Sequence, residues 1–85
     1  MNPSLSIPED AVLTHLTEVG YTAPVILQIR YCVSMGRIQG ILDILWKMGL
    51  ILRPIKGLAI SKEWLENHPN EKQQIERALG KILVI

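Results

Sequence analysis

Residues 25–51 read VILQIRYCVSMGRIQGILDILWKMGLI, and two helices separated by a short turn account for this order. Thr22-Ala23-Pro24 opens the first of them, since proline is tolerated in a helical first turn, where its missing N–H has no partner to lose. Val25, Ile26 and Ile29 are expected on its inward side. Tyr31-Cys32-Val33 is the connector. Ser34 is the expected cap of the second helix, because a serine hydroxyl accepts from an unpaired N–H of the first turn. That helix runs to about Met48. Ile38, Leu42 and Leu45 fall at i, i+4 and i+7, so they form one inward stripe. Gly49 stops it, being able to adopt the left-handed conformation that ends many helices.

Working outward, Ser6-Ile7-Pro8-Glu9 has the S-x-x-E spacing of a capping box. Val12, Leu13, Leu16 and Val19 continue at helical spacing up to Gly20, and residues 1–5 are expected to be a short tail. On the other side, residues 50–55 and 58–60 read as two short strands around Lys56-Gly57, with glycine supplying the positive φ of a tight turn. Pro54 cannot donate to a ladder and belongs on an edge. Ser61 caps a short helix through Trp64 and Leu65 that ends at His68-Pro69. Asn70, with Gln73 three residues on, is the expected cap of a last helix whose stripe is Ile75, Ala78, Leu79, Ile82 and Leu83. The whole is one domain, with a core over residues 6–66 and a C-terminal helix over 70–85.

An 85-residue chain suits one domain, and 48% hydrophobic residues suffice for one core. With no Phe, that core must rest on Leu, Ile and Val. The lone Cys32 forms no internal disulfide and no multi-cysteine metal site, and it fits a reducing compartment. The start, Met1-Asn2-Pro3-Ser4, has neither the basic residues nor the apolar run of a secretory signal. The greasiest stretch, residues 38–60, is broken by Asp43, Lys47, Arg53, Pro54 and Lys56, so it is not a membrane span. A cytoplasmic protein is expected. Net charge is only +1, but its distribution is uneven. Residues 1–20 carry Glu9, Asp10 and Glu18 and no cation. Residues 21–62 carry Arg30, Arg37, Lys47, Arg53, Lys56 and Lys62 against Asp43 alone. A basic patch is the footprint of a nucleic-acid binder, although it also suits an ordinary solvated face.

Helix, helix, short turn, helix, hairpin, helix is the order of the winged helix-turn-helix. Ser34, Ile38, Leu42, Leu45, Gly49, Leu50 and Ile51 resemble the pattern of small bacterial and archaeal winged-helix transcriptional regulators, and Gly57-Leu58-Ala59-Ile60-Ser61 with Trp64-Leu65 resembles their second wing strand and following helix. The resemblance covers about residues 8–66. Two departures stand out: Cys32 takes the place of a turn glycine, and Gly36 and Gly40 interrupt the third helix, at about 1 kcal/mol each relative to alanine. They fit close approach to DNA, to another helix, or plain local tolerance.

The resemblance implies a mainly α fold with a small β-hairpin, in which the third helix enters the major groove of double-stranded DNA. Arg37 would then fork to guanine O6 and N7, and Gln39 to adenine N6 and N7. Ser34 and Thr22, near helix starts, would meet phosphates. Arg53 and Lys56 on the wing, with Lys47 and Lys62, would add backbone contacts. Each of these residues also reads as ordinary solvated surface. A homodimer would supply two half-sites, with Ile75, Leu79, Ile82 and Leu83 as its interface; the alternative is that the last helix packs back on its own domain. The competing function is a winged-helix protein–protein module, which exposed Met35, Ile41, Ile44 and Trp46 would favour. No phosphate loop, carboxylate pair or metal spacing points to an enzyme, a metal or a cofactor. His15 and His68 are expected on the surface, Cys32 as a small buried hydrophobe, and Trp46 and Trp64 as packing residues.

Overall fold

A computed structural model describes residues 7–84. In chain order the elements are α1 (Ile7–Val19), β1 (Tyr21–Thr22), α2 (Pro24–Tyr31), α3 (Met35–Lys47), β2 (Ile51–Leu52), β3 (Ala59–Ser61), α4 (Lys62–Asn67) and α5 (Pro69–Leu79). The protein is mainly helical, with a small antiparallel sheet of order β1-β3-β2. Among the described residues no helix is long and apolar enough to cross a membrane. The capping box at Ser6 and the expected tail of residues 1–5 lie outside the described residues.

The central strand organises the interior. Alternate residues of a strand point to opposite faces, and β3 is buried on both. Ala59 joins Val12 and Leu16 of α1, Leu27 of α2, Ile38, Leu42 and Leu45 of α3, and Ile51 of β2. Ile60 points the other way and meets Leu65 and Leu83, with Ile75, Leu79 and Trp64 packed around them. The sheet therefore separates a larger core under α1–α3 from a smaller one under α4, α5 and the chain end. Burying a leucine or isoleucine in either contributes about 1.5–3 kcal/mol. Ser61 is the buried polar residue at the end of β3, and its hydroxyl is fully used. It accepts from the Trp64 N–H at 3.2 Å and so caps α4. Thr17 spends its proton on the Leu13 carbonyl, so Ser61 donates to Thr17 Oγ1, 3.3 Å away.

Gly20 joins α1 to β1 at φ +94°, and a Cβ there would stand 2.4 Å from the Trp64 ring. Backbone and packing both require glycine at this point. Trp64 is further held by His68 stacked at 4.5 Å and by the edge of Tyr21 at 5.9 Å.

The structure corrects several expectations. Thr22 does not open α2; it pairs with Ala59 in β1, and α2 starts after Ala23 with no side-chain cap. On α2 the inward residues are Pro24 and Leu27, with Tyr31 half-buried, while Val25, Ile26 and Ile29 face outward at 47%, 50% and 70% exposure. An eight-residue helix with apolar residues on several faces leaves the choice to tertiary packing, and the i, i+3, i+7 set is the one that fits over α3. Cys32 is exposed, because as the left-handed residue closing α2 (φ 54°) its side chain turns away from the core. Trp46 is 52% exposed. His15 and His68 are half-buried: His15 meets Tyr31 edge-on, and His68 donates from Nδ1 to the Trp64 carbonyl at 2.7 Å. Strand β2 stops at Leu52, two residues before Pro54. Helix α5 starts at Pro69 rather than after Asn70, and ends at Gly80 (φ 71°), so Ile82 and Leu83 leave the helix.

Candidate functional site

Ser34 caps α3, its hydroxyl accepting from the Arg37 N–H at 3.2 Å. With that start fixed, the 100° step per residue sorts the helix. Ile38, Ile41, Leu42 and Leu45 point into the core. Gly36, Gly40 and Lys47 run down the middle of the opposite, exposed face. A Cβ added at Gly36 or Gly40 would meet nothing within 4 Å, so neither glycine answers to packing inside the chain. Arg37 stands on one flank, exposed at the rim of an apolar depression lined by Pro8, Val12, Tyr31 and Ile41. Gln39 and Asp43, one turn apart, form the other flank, toward the β2–β3 loop.

That loop places Arg53 against the helix. Its guanidinium donates through Nη1 to the Asp43 carboxylate and through Nη2 to Gln39 Oε1, at 2.6 Å. Arginine has no acceptor, so the Gln39 atom facing it must be the carbonyl oxygen. The Gln39 amide nitrogen lies 3.7 Å from Met35 Sδ. Farther out, Gly57 turns the loop at φ +86° and Lys56 is exposed at its tip. Between α3 and the loop is a groove lined by Pro24, Gln39, Arg53, Ile55, Lys56 and Leu58.

Of the eight residues the sequence nominated for DNA contact, Arg37, Gln39, Arg53 and Lys56 border this groove or the α3 face, and Lys47 joins them on that face. Arg53 differs in role from its expected one: it is turned to α3 as a bridge. Ser34 is exposed at the start of α3 and occupied as its cap. Thr22 is half-buried in β1. Lys62 is half-buried, its Nζ 3.9 Å from the Cβ position of Gly49. Asp43 belongs to the constellation as the anion Arg53 neutralises; its i+4 spacing from Gln39 was the available signal.

The residues nominated for a dimer interface divide. Leu83 is buried, and Ile75 and Leu79 pack beside it on Ile60 and Leu65 of the same chain, so these three are committed internally. Ile82 is 80% exposed. The chain end that carries it is held at two points. The Leu83 N–H donates to the Glu76 carboxylate at 2.7 Å, which with the Lys72 ammonium lowers the carboxyl pKa against a smaller opposing effect of burial. Lys81 Nζ donates to the Pro54 carbonyl at 2.7 Å. Ile82, Val84 (79% exposed) and Trp46 thereby border one surface groove with Leu52 and Pro54. Of the side chains that would suit a protein contact, Ile44 and Trp46 are exposed, Met35 is half-buried, and Ile41 is buried because it falls on the core side of α3. No family model, no curated protein and no solved structure matches the chain.

Proposed function

We propose that this protein is a winged helix-turn-helix that binds double-stranded DNA sequence-specifically, as a dimeric transcriptional regulator of the cytoplasm and not as an enzyme. The observation that carries the reading is the side-by-side placement of the α3 face and the β2–β3 loop. Arg53 ties the two together, and Arg37, Lys47 and Lys56 remain exposed around them. A helix with a bare glycine centre, flanked by Arg37 on one side and Gln39 on the other, suits a major groove, whose base edges must be approached closely. The loop with Lys56 at its tip is the wing, placed for the adjoining backbone. Helix α2 precedes α3 by three residues, the spacing of the motif. In the dimer, Ile82 with Val84 and Trp46 takes the place of the α5 stripe as the contact.

A second reading is favoured by Val25, Ile26 and Ile29, three apolar side chains exposed on α2. They suit a protein–protein module in which this face takes a partner. Binding to random duplex DNA across a salt series separates the two. Phosphate contact releases counterions, so affinity for DNA falls steeply with salt. Salt-sensitive binding followed by enrichment of a palindrome is the expected result. A folded protein that binds no duplex at low salt sinks the DNA reading and leaves the protein module.

A further inference from the structure

We infer that Arg53 is a positioning residue for base recognition: it holds Gln39 as an amide donor, so that Gln39 selects guanine where an untethered glutamine would select adenine. The inference rests on the DNA reading above.

A glutamine that reads adenine uses both ends of its amide, the carbonyl accepting from N6 and the NH2 donating to N7. Here the carbonyl end is turned to the Arg53 guanidinium at 2.6 Å. The NH2 end of this half-buried side chain is directed to Met35 Sδ, a weak acceptor 3.7 Å away, and is not committed to any oxygen acceptor in these contacts. A donor projecting from the groove flank of α3 suits the base whose major-groove edge carries acceptors alone, guanine with N7 and O6. Arg53 does a second thing with the same fork. Its other nitrogen neutralises Asp43, which would otherwise set a negative charge one turn along the same flank and repel the DNA backbone. The side chain is 25% exposed, so it reaches α3 from under the loop rather than from its tip, where Lys56 stands. A single cation thus orients one side chain and discharges another. Only a planar, two-pronged group does both; a lysine ammonium is a point charge and cannot span the pair in a fixed geometry.

The test is sequence selection from randomised duplex DNA with the full chain, for wild type, Arg53→Lys, Arg53→Ala, Gln39→Ala and Gln39→Glu, each checked for folding by thermal unfolding. Wild type is expected to enrich guanine at one position of each half-site. Gln39→Ala, Arg53→Ala and Arg53→Lys should each reduce that preference by on the order of tenfold. Gln39→Glu keeps an acceptor for Arg53 but loses the donor, and should move the preference to cytosine, whose N4 amino group donates. Enrichment of adenine by wild type overturns the inference. So does full rescue by Arg53→Lys together with an equal loss on all sequences in Arg53→Ala, the signature of a phosphate contact. In both cases the protein still binds DNA and the functional reading stands. Absence of duplex binding by folded wild type overturns both.

Discussion

Replacing both exposed glycines of α3 by alanine should make the protein more stable and a poorer DNA binder. Glycine costs about 1 kcal/mol relative to alanine inside a helix, through the backbone freedom it gives up on folding. The usual reason to tolerate it is a neighbour too close for a methyl group. At Gly36 and Gly40 there is none, since an added Cβ meets nothing within 4 Å. The Gly36→Ala/Gly40→Ala variant is therefore expected to gain about 1–2 kcal/mol, most of it at Gly40, since Gly36 lies in the first turn of α3. For a domain of this size that raises Tm by about 4–16 °C. On the DNA reading the two methyl groups stand in the centre of the face that enters the groove. They hold the helix off the base edges and weaken specific binding by at least about tenfold, the effect of losing one good base contact. Urea unfolding measures the first effect, and titration of the selected operator at fixed salt measures the second. A variant that is stabilised yet binds its operator as tightly as wild type would refute the placement of this face in the groove. A variant that is not stabilised would refute the helix-propensity account itself.

Gly20→Ala places a methyl group inside the Trp64 ring and forces an L-residue to φ +94°, and should cost about 2–4 kcal/mol in a urea titration; a loss under about 1 kcal/mol would show that Trp64 yields freely. Cys32→Gly relieves a left-handed residue whose side chain is exposed, and should stabilise by about 0.5–1 kcal/mol, with thermal unfolding as the check and any destabilisation as the contrary result. The contact of Glu76 with the Leu83 N–H depresses the carboxyl pKa below its ordinary 4.5. Its contribution is therefore full above that value and is lost as pH falls through the lower folded-state pKa. The Leu83 amide resonance should move over this acid range in wild type and stay still in Glu76→Gln; identical pH profiles would remove Glu76 from the role.

The helical order was readable because glycine, proline and serine punctuate it. Ser34 and Ser61 cap their helices where their spacing to the following apolar run puts them. The α3 stripe of Ile38, Leu42 and Leu45 was readable because thirteen residues give periodicity enough turns to show. Helix α2 is not legible in the same way, for the converse reason: in eight residues, Val25, Ile26, Leu27 and Ile29 cover most of the circumference, and only packing against α3 chooses Leu27. Strand β1 is two residues held by pairing to Ala59 and Ile60, far along the chain, and nothing local in Tyr21-Thr22 announces it. The α5 stripe was read through Gly80 because the apolar spacing continues beyond it, whereas the backbone turns left-handed there and sends Leu83 back over Ile60. The Arg53 bridge lay beyond the sequence altogether, since it depends on how a loop folds over a helix ten to fourteen residues earlier.

On the DNA reading, that bridge also limits how many cations are left for phosphates. With Arg53 spent on Gln39 and Asp43, the exposed cations of the α3 face and the loop are Arg37, Lys47 and Lys56. Were all three to neutralise a phosphate, the slope of log affinity against log salt would be about −2.7, and two copies on one site about −5.4; with Arg37 on a base the values are smaller. On the DNA reading a single copy gains little from the phosphate backbone, and a second copy would double that term. Trp46, Ile82 and Val84 offer the apolar surface for it, at the edge of the fold rather than in α5. Ile82→Glu is the variant that separates assembly from folding, because Ile82 is 80% exposed and contributes little to either core. Leu79→Glu would instead put a charge beside Ile60, Leu65 and Leu83 and unfold the smaller core. Ile82→Glu should therefore keep wild-type unfolding, run as a monomer on sizing, and bind DNA with about half the wild-type salt slope. A monomeric variant that keeps the full slope would show that one copy makes all the phosphate contacts, and a variant that remains dimeric would move the interface to the exposed face of α2.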